Sequence, residues 1–274
     1  MKAAILQMTS GIDPAANAAT LATAVRTAAE RGAAMLFTPE MSGLLDRDRA
    51  RAAESIVDEK DDRVLATVRE AAAKSGLWVN LGSLALRGSA DRLVNRGFVI
   101  DGTGAIRARY DKLHLFDVDL PTGESWRESA AYAAGTGAVV VDTPLGSLGL
   151  SICYDLRFPD LYRALSDAGA TILSVPAAFT RPTGAAHWNI LLRARAIECA
   201  SFVIAAAQTG KHEDGRETYG HSLAVNPWGE VLGDMGEGAG VGFVEVNPAK
   251  VLEVRQRIPV IAHRRSIPAV TVAQ

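Results

Sequence analysis

Short apolar segments alternate with segments of helical character along most of the chain. An Asp-Pro pair at 13–14 opens the first helical segment in the manner of an N-cap followed by a first-turn proline, and Gly32 closes it. Such alternation is typical of α/β layering. In the first third of the chain, the pattern predicts strands over 2–8 and 33–39 and helices over 14–31 and 59–75.

The rest of the chain continues this alternation, with several strand pairs close enough in sequence to form hairpins. Such pairs favour mixed sheets over purely parallel ones. A polar loop over 114–137 is long enough for a function of its own. With neither a linker nor a repeat, residues 1–274 are expected to form a single domain. Strands are predicted at 77–86, 93–100, 106–113, 138–144, 146–153, 171–178 and 202–209, helices near 158–168 and 187–200, and two further strands at the end of a sheet from 221–232 and 240–247.

Composition narrows the functional classes. The 274 residues carry 29 Lys and Arg against 31 Asp and Glu, a formal charge of −2, so no basic nucleic-acid footprint is present. Two cysteines are too few for a disulfide framework. The beginning of the chain is a poor signal peptide, and no run approaches the roughly 20 apolar residues of a membrane span. We therefore expect a cytoplasmic protein with neither nucleic acid nor membrane as a partner.

Three reactive side chains each follow an apolar strand: Glu40, Lys112 and Cys153. Ligands of α/β proteins gather where strands end, so these three are candidates for one site. Taken alone, each has an ordinary explanation. The glutamate is typical of a solvated residue or a helix cap, the lysine of a surface position, and the cysteine of a small buried hydrophobe.

The surroundings of Cys153 differ from those of Cys199. A strand, the cysteine, a tight turn and a helix follow one another at Cys153, and backbone N–H groups at a helix start favour an anion. This arrangement predicts a lowered thiol pKa and a larger fraction of nucleophilic thiolate. Cys199, in AIECASF, has no such context and is interpreted as core.

A nucleophilic thiol also needs a proton carrier and a group that stabilises an oxyanion. None of the five histidines stands in a pattern that marks a Cys–His pair. A carboxylate can carry the proton instead, and a lysine ammonium can hold the oxyanion. Glu, Lys and Cys therefore form a chemically complete set, although the residues alone do not establish that they meet.

Sequence blocks around these three residues resemble those of the nitrilase superfamily of carbon–nitrogen hydrolases. The resemblance runs from Lys2 to about Arg265, and the order Glu, Lys, Cys agrees with that superfamily. The matching blocks are TPEMSG, RYDKLHLFD and CYDLRFPDLYR, followed by SVPAAF (174–179), AHWNILLRARAIE (186–198), YGHSLAVNPWGEVL (219–232) and RQRIPVIAHRR (255–265).

The resemblance implies a four-layer α-β-β-α sandwich and hydrolysis through a thioester. Cys153 is then the nucleophile and Glu40 the general base and later acid. Lys112 stabilises the oxyanion together with the backbone N–H of Tyr154. A second glutamate of that superfamily matches Glu128 in WRESAAYAAG, whose alternative is a solvated loop carboxylate. Neither a cofactor nor a metal is implied.

Within the superfamily, the blocks resemble the branch of deaminated-glutathione amidases and omega-amidases. That branch implies hydrolysis of a small amide near an oxoacid carboxylate to an acid and ammonia, with deaminated glutathione favoured over 2-oxoglutaramate. Arg157 then clamps the carboxylate, since a guanidinium binds carboxylates bidentately, or else pairs with Asp155 or Asp160. Phe179 is either a wall of the substrate pocket or plain core.

Other functions stay open at this point. The same triad would serve a nitrilase or a carbamoylase. A non-catalytic small-molecule binding protein could use the same fold, and a redox-thiol protein is disfavoured because a CxxC motif is absent. The resemblance also implies a homodimer or a larger homo-oligomer.

Overall fold

The computed structural model describes residues 1–89, 91–119, 123 and 125–273. The helices are α1 (Pro14–Glu30), α2 (Arg49–Ser55), α3 (Arg63–Ser75), α4 (Pro159–Asp167), α5 (Arg181–Cys199) and α6 (Ala249–Arg257), with 3₁₀ turns at Glu59–Asp61, Glu128–Ala130 and Cys153–Arg157. The strands are β1 (Lys2–Gln7), β2 (Met35–Phe37), β3 (Trp78–Arg87), β4 (Leu93–Ile100), β5 (Ile106–Asp111), β6 (Asp117–Asp119), β7 (Ser125–Arg127), β8 (Val140–Thr143), β9 (Gly146–Leu150), β10 (Ile172–Ser174), β11 (Phe202–Ala205), β12 (Thr209–Lys211), β13 (Glu217–Tyr219), β14 (Leu223–Val225), β15 (Val231–Asp234) and β16 (Gly240–Glu245).

Two large mixed sheets account for most of the strands. The first has the order β16-β1-β2-β3-β4-β5, in which β1, β2 and β3 are parallel and the outer neighbours antiparallel. The second has the order β15-β14-β11-β10-β9-β8, with β9, β10 and β11 parallel. The predicted mixed α/β sheets and the hairpin around Gly146 are confirmed, since β8 and β9 pair antiparallel.

Alternate residues of β1 show how the layers stack. Ala3 and Ile5 belong to the cluster that contains the second sheet, whereas Ala4 and Leu6 pack with the helices α1 and α3. Because successive strand side chains point to opposite faces, the first sheet lies between those helices and the second sheet. Helices α4 and α5 contact β9, β11 and β14 on the far side of the second sheet. The order helix, sheet, sheet, helix is the expected α-β-β-α sandwich.

The last predicted strands occupy different sheets, which corrects the expectation that they share one sheet end. The segment 221–232 contributes β14 and the start of β15, at the edge of the second sheet. Strand β16 instead pairs with β1 at the edge of the first sheet, with Lys2 opposite Glu245. A hairpin pattern specifies a local partner, but it does not say which of two sheets a later strand joins.

Two helices depart from the predicted boundaries. Helix α2 was not predicted, although Asp48 caps it by accepting the N–H groups of Ala50 and Arg51. Helix α5 begins at Arg181 instead of 187, because Pro182 in its first turn extends rather than breaks a helix. Among the described helices, none combines the length and the apolar character needed to cross a bilayer.

The predicted loop 114–137 contains structure of its own. Strands β6 and β7 pair antiparallel within it, with Val118 opposite Trp126, and the 3₁₀ turn Glu128–Ala130 follows. Residues 120–122 and 124 of this loop lie outside the described residues. The described part brings Glu128 back towards the end of β5, where Lys112 lies.

Candidate active site

Cys153 lies on a turn with an unusual backbone conformation. Strand β9 ends at Leu150, three residues earlier than predicted, and Cys153 begins the 3₁₀ turn with φ of +49°. Its N–H donates to the carbonyl oxygen of Pro176 at 2.8 Å. A positive φ in a residue other than glycine is uncommon and costs free energy, so this turn is held by its surroundings.

Asp155 is the main support of that turn. Its buried carboxylate accepts the N–H of Ile152 at 2.9 Å and the hydroxyl of Tyr110 at 2.7 Å. It also lies 3.0 Å from the backbone nitrogen of His114 and 2.7 Å from the Nδ1 atom of that residue. Tyr110 and His114 flank Lys112 in sequence, so one carboxylate ties the nucleophile's turn to the segment that carries the lysine.

Glu40 is buried, and both of its carboxylate oxygens accept hydrogen bonds. It follows β2, and its side chain accepts at both oxygens: Oε2 from the N–H of Ala178 at 3.0 Å, and Oε1 from Lys112 Nζ at 3.0 Å. Its carbonyl oxygen accepts from Gln208 Nε2 at 2.9 Å. These contacts come from both sheets, so Glu40 lies where the two sheets meet.

Lys112 joins Glu40 to Glu128. Its Nζ atom also donates to Glu128 Oε2 at 2.8 Å, and that oxygen accepts the N–H of Phe116 at 2.7 Å. Burial alone would lower the pKa of Lys112, but the carboxylates of Glu128 and Glu40 outweigh it and raise the pKa well above its usual range. The ammonium therefore stays charged at neutral pH.

Asn95 is a member of this cluster that the sequence analysis missed. The residue lies in β4, and its Nδ2 atom donates to Glu40 Oε1 at 3.0 Å and to Glu128 Oε1 at 3.2 Å. The available signal was a lone amide beside Arg96 in the strand segment LVNRGFVI. A polar residue at a predicted core position needs a partner, and here the partners are the two carboxylates.

The state of the thiol is the opposite of the one predicted. Burial and the neighbouring Glu40 carboxylate raise the pKa of the Cys153 thiol well above its usual range, and Lys112 only partly offsets them. The prediction of a lowered pKa was wrong because α4 begins only at Pro159, after the 3₁₀ turn, and the thiol is buried. Before reaction the sulfur is therefore a neutral thiol beside a carboxylate.

The four side chains predicted to act together line one cavity of about 590 Å³: Glu40, Lys112, Glu128 and Cys153. The relative exposures of Glu40, Lys112 and Cys153 are 5%, 2% and 8%. Water is largely excluded from these groups, so their mutual electrostatic interactions are strong. Within the described residues, no three His, Cys, Asp or Glu side chains group as metal ligands would.

The remaining predicted site residues also line the cavity. Arg157 lies with its guanidinium carbon 5.4 Å from the ring centre of Phe179, and Nη1 lies 3.3 Å from His187 Nδ1. In the described part of the chain no carboxylate forms an ion pair with Arg157, so the alternative pairing with Asp155 or Asp160 is not observed. Phe179 lines the cavity and also packs against the core residue Trp188.

The N–H of Tyr154 is available to a ligand. It follows the nucleophile in the 3₁₀ turn, and none of the described residues accepts a hydrogen bond from it. Such a free donor next to a nucleophile is the arrangement of an oxyanion hole. Lys112 supplies a positive charge in the same cavity.

A family model for carbon-nitrogen hydrolases matches residues 2–256. The chain belongs to the carbon-nitrogen hydrolase family. The chain is 39% identical over 267 residues to the deaminated glutathione amidase of Yersinia enterocolitica, covering 96% of this chain and 93% of that protein. The family assignment agrees with the resemblance noted in the sequence.

Two solved structures share this fold. The NitFhit protein of C. elegans superposes with a TM-score of 0.89 and 40% identity, covering 96% of this chain and 65% of that chain. An amidase from Nesterenkonia sp. AN1 superposes with a TM-score of 0.79 and 27% identity, covering 94% of this chain and 98% of that one. The latter structure records Michael addition of acrylamide at its active site cysteine. This carbon-nitrogen hydrolase is a hydrolytic amidase.

Proposed function

We propose that this amidase hydrolyses a small, carboxylate-bearing amide through a thioester on Cys153. One observation carries the proposal: Lys112 bridges Glu40 and Glu128 at the wall of the cavity onto which the Cys153 thiol also faces. A nucleophile, a base and an oxyanion donor are thereby present in one water-poor space.

The acylation step begins with a neutral thiol. Glu40 removes the proton of the Cys153 thiol as the sulfur attacks the amide carbon, and a C–S bond forms. The carbonyl oxygen becomes an oxyanion, held by the Lys112 ammonium and the Tyr154 N–H. The C–N bond then breaks, and Glu40 returns the proton to the departing nitrogen.

Deacylation repeats the same chemistry with water. Glu40 takes a proton from water while the hydroxide adds to the thioester carbon, and the oxyanion again lies between Lys112 and Tyr154. Collapse of this intermediate expels the sulfur of Cys153, which recovers its proton from Glu40. One role of Glu128 in both steps is to hold the Lys112 ammonium beside the reacting carbon.

Deaminated glutathione is the substrate that we propose. The Yersinia enterocolitica relative is named for this substrate. The cavity volume of about 590 Å³ lies in the range that accommodates a drug-sized ligand. A five-carbon oxoacid amide such as 2-oxoglutaramate would leave much of that space empty. For deaminated glutathione the departing group is the amine of the cysteinylglycine part, so the expected release of ammonia is wrong for this substrate and holds only for a primary amide such as 2-oxoglutaramate.

A substrate panel tests this proposal. The purified enzyme is assayed with deaminated glutathione, 2-oxoglutaramate, a simple nitrile and an N-carbamoyl amino acid. We expect the highest kcat/KM with deaminated glutathione, and mass spectrometry of quenched reactions should show an acyl adduct on Cys153. A preference for the nitrile or the carbamoyl compound contradicts the proposed substrate class, and binding without any turnover contradicts the proposed reaction.

Arg157 is proposed as the clamp for the substrate's oxoacid carboxylate. It lines the cavity within four residues of Cys153 and has no carboxylate partner among the described residues. Its guanidinium carbon lies 5.4 Å from the ring centre of Phe179, within the range of a cation–π contact. A planar guanidinium fixes the orientation of a carboxylate as well as adding affinity.

Two substrates and two variants test the clamp. Arg157→Lys keeps the charge but loses the two-donor geometry, so kcat/KM should fall, and Arg157→Ala should lower it further, by about 10²-fold. The fall should be much smaller for an ester of the same oxoacid amide. Equal losses for acid and ester would show that Arg157 supports structure and that another residue reads the carboxylate.

We also propose a homodimer and a cytoplasmic location. Ile190 and Ile197 of α5 are exposed on the outer face of the sandwich, and Trp228 is exposed as well. Exposed large apolar side chains of this kind are typical of a subunit interface. Light scattering after size-exclusion chromatography tests the dimer. Both cysteines are free thiols in the structure, which is compatible with a reducing compartment.

A further inference from the structure

We propose that Asn95 is a positioning residue of this hydrolase. Its amide holds the Glu40 and Glu128 carboxylates at fixed positions around the Lys112 ammonium. The inference rests on the proposed amidase reaction and assigns a role to a residue outside the triad. Hydrogen bonds made from β4 and at the cavity wall support this role.

The two carboxylates are bridged twice. Lys112 joins them through Nζ, with distances of 3.0 Å and 2.8 Å, and Asn95 joins them through Nδ2, with distances of 3.0 Å and 3.2 Å. A lysine ammonium is a point charge on a flexible stem and tolerates many arrangements of its partners. The amide, fixed on a central strand of the first sheet, restricts the two carboxylates to one arrangement.

Asn95 also positions the backbone of Lys112. Its carbonyl oxygen accepts the Lys112 N–H at 3.0 Å, directly after β5 ends. The same residue therefore holds the lysine from its main chain and holds the lysine's two partners from its side chain. Loss of the side chain would leave the main-chain contact intact, which separates the two effects experimentally.

The other atom of the amide supports a functional reason for this residue. Asn95 is 1% exposed, and its Oδ1 atom has no hydrogen-bond partner among the described residues. A buried acceptor without a partner is destabilising, whereas the donor atom of the same amide makes both of its hydrogen bonds to carboxylates of the cavity. The orientation is nevertheless determined, because rotating the amide would place Oδ1 against two negatively charged carboxylates.

The amide has a further electrostatic effect on the base. It donates to the Glu40 carboxylate at 3.0 Å, so its removal takes one hydrogen bond away from that group. The other titratable or charged groups that act on this base are Lys112 from the end of β5, Glu128 from the 3₁₀ turn, Cys153 from the nucleophile's turn and Tyr132 from the cavity wall. Two of them, Lys112 and Glu128, are also held by Asn95, so its removal acts on Glu40 directly and through both of these groups.

Asn95→Ala is the first test. We expect kcat to fall about 10- to 100-fold, the range found when groups that orient catalytic ligands are removed, with KM changing less than about threefold. The acidic limb of the pH–rate profile should move to higher pH by about 0.5–1 unit, the effect of one hydrogen bond. Wild-type kcat and an unmoved acidic limb would overturn the proposal.

Asn95→Asp is the sharper test. The introduced carboxyl adds a third negative charge when it is ionised, so the loss at pH 8 should exceed that of Asn95→Ala. When it is protonated it offers an O–H donor in place of the amide, so activity should recover as the pH is lowered towards 6. A rate that stays low at every pH, in a protein with a native circular dichroism spectrum, contradicts the positioning role.

Asn80→Ala is the matched control. Asn80 is a buried asparagine of the neighbouring strand β3, and its amide donates to the Ser174 hydroxyl across the two sheets. Its substitution should lower the melting temperature but leave the acidic limb unmoved. If both alanine variants lose stability equally and neither moves the limb, Asn95 is structural and the proposal fails.

A readout without turnover keeps this test separate from the proposed function. Alkylation of Cys153 by iodoacetamide depends on the charges of Glu40 and Lys112; it displaces iodide and requires no cleavage of an amide bond. Asn95→Ala should change the pH midpoint of alkylation by at least about 0.3 unit, and Asn80→Ala should not. An unchanged midpoint opposes the role of Asn95, whereas absent turnover in the wild-type enzyme opposes only the amidase proposal.

Discussion

The first sheet and the second sheet supply opposite kinds of group to the cavity. Strands of the first sheet lead to Glu40 and Lys112, which carry charge and make side-chain hydrogen bonds to several partners. The second sheet leads to Cys153, a neutral thiol on a turn with positive φ. The charged side is specified by side chains, and the nucleophile's side is specified by backbone conformation.

The supports of the nucleophile's turn illustrate this difference. Asp155 accepts backbone and side-chain donors, and Arg195 donates twice to the carbonyl oxygen of Leu156, at 3.2 Å and 2.9 Å. These contacts act on the path of the main chain rather than on the sulfur. Substitutions of Glu40 or Lys112 on the first-sheet side are therefore expected to change the charge in the cavity. Substitutions on the second-sheet side are expected to decide whether the C–S bond to Cys153 can form.

Removal of the nucleophile should have the largest effect. Cys153→Ala should lower kcat by at least about 10⁴-fold, because the thioester cannot form. The melting temperature should change by no more than about 4 °C, since a small side chain is shortened. Cys199→Ala is the control, because Cys199 is also buried but donates to the Tyr162 carbonyl oxygen and is not among the residues that line the cavity, so this variant should retain most activity. Comparable activity in the two variants would remove Cys153 from the mechanism.

Substitutions on the charged side should follow in size. Glu40→Gln keeps the shape but cannot accept the thiol proton, and we expect a loss of about 10³-fold or more in kcat. Lys112→Ala removes the charge that holds the oxyanion, a loss of about 10²–10³-fold. Glu128→Gln should be slow to a smaller degree, because it acts through Lys112. Steady-state kinetics beside circular dichroism measure these effects, and wild-type rates in a folded variant would exclude that residue.

The smallest expected effect is a shift in the reactivity of the thiol with pH. Because burial and Glu40 raise the Cys153 pKa, alkylation by iodoacetamide should still be rising at pH 9, where a free thiol of pKa about 8.5 begins to level off. Glu40→Gln removes the negative charge, so the midpoint should move to lower pH although turnover is lost. A shift to higher pH would mean that Glu40 does not act on the sulfur.

The sequence was sufficient to predict the site residues at strand ends. It was insufficient to predict contacts between residues of different strands. Glu40, Lys112 and Cys153 could be found because each follows an apolar run, and the family blocks supplied their order. Asn95 could not, because its partners come from a loop and from another strand. The pKa of the thiol was mispredicted for the same reason, since it depends on burial and on Glu40 rather than on the local turn.

Errors in the fold have a related physical origin. Helix α2 was missed because it is short and lacks a strong apolar face, so its cap at Asp48 was the main signal. The pairing of β16 with β1 joins segments from opposite ends of the chain, and no local pattern encodes it. Elements determined by nearby residues were predictable, whereas those determined by distant partners needed the structure.

The contact between the two sheets has a consequence for how this enzyme fails. The side chains packed between the two sheets are mostly apolar, apart from polar contacts such as the hydrogen bond from Asn80 to Ser174. A small change in the spacing of the two sheets would move Cys153 relative to Glu40 while the strand order within each sheet stays the same. A misplacement of about 1 Å between reacting groups can cost about 10²-fold in rate, so Cys153 would be out of reach of Glu40 in a chain that still has its native helices and strands. On heating or in denaturant, activity should therefore be lost before the secondary structure unfolds.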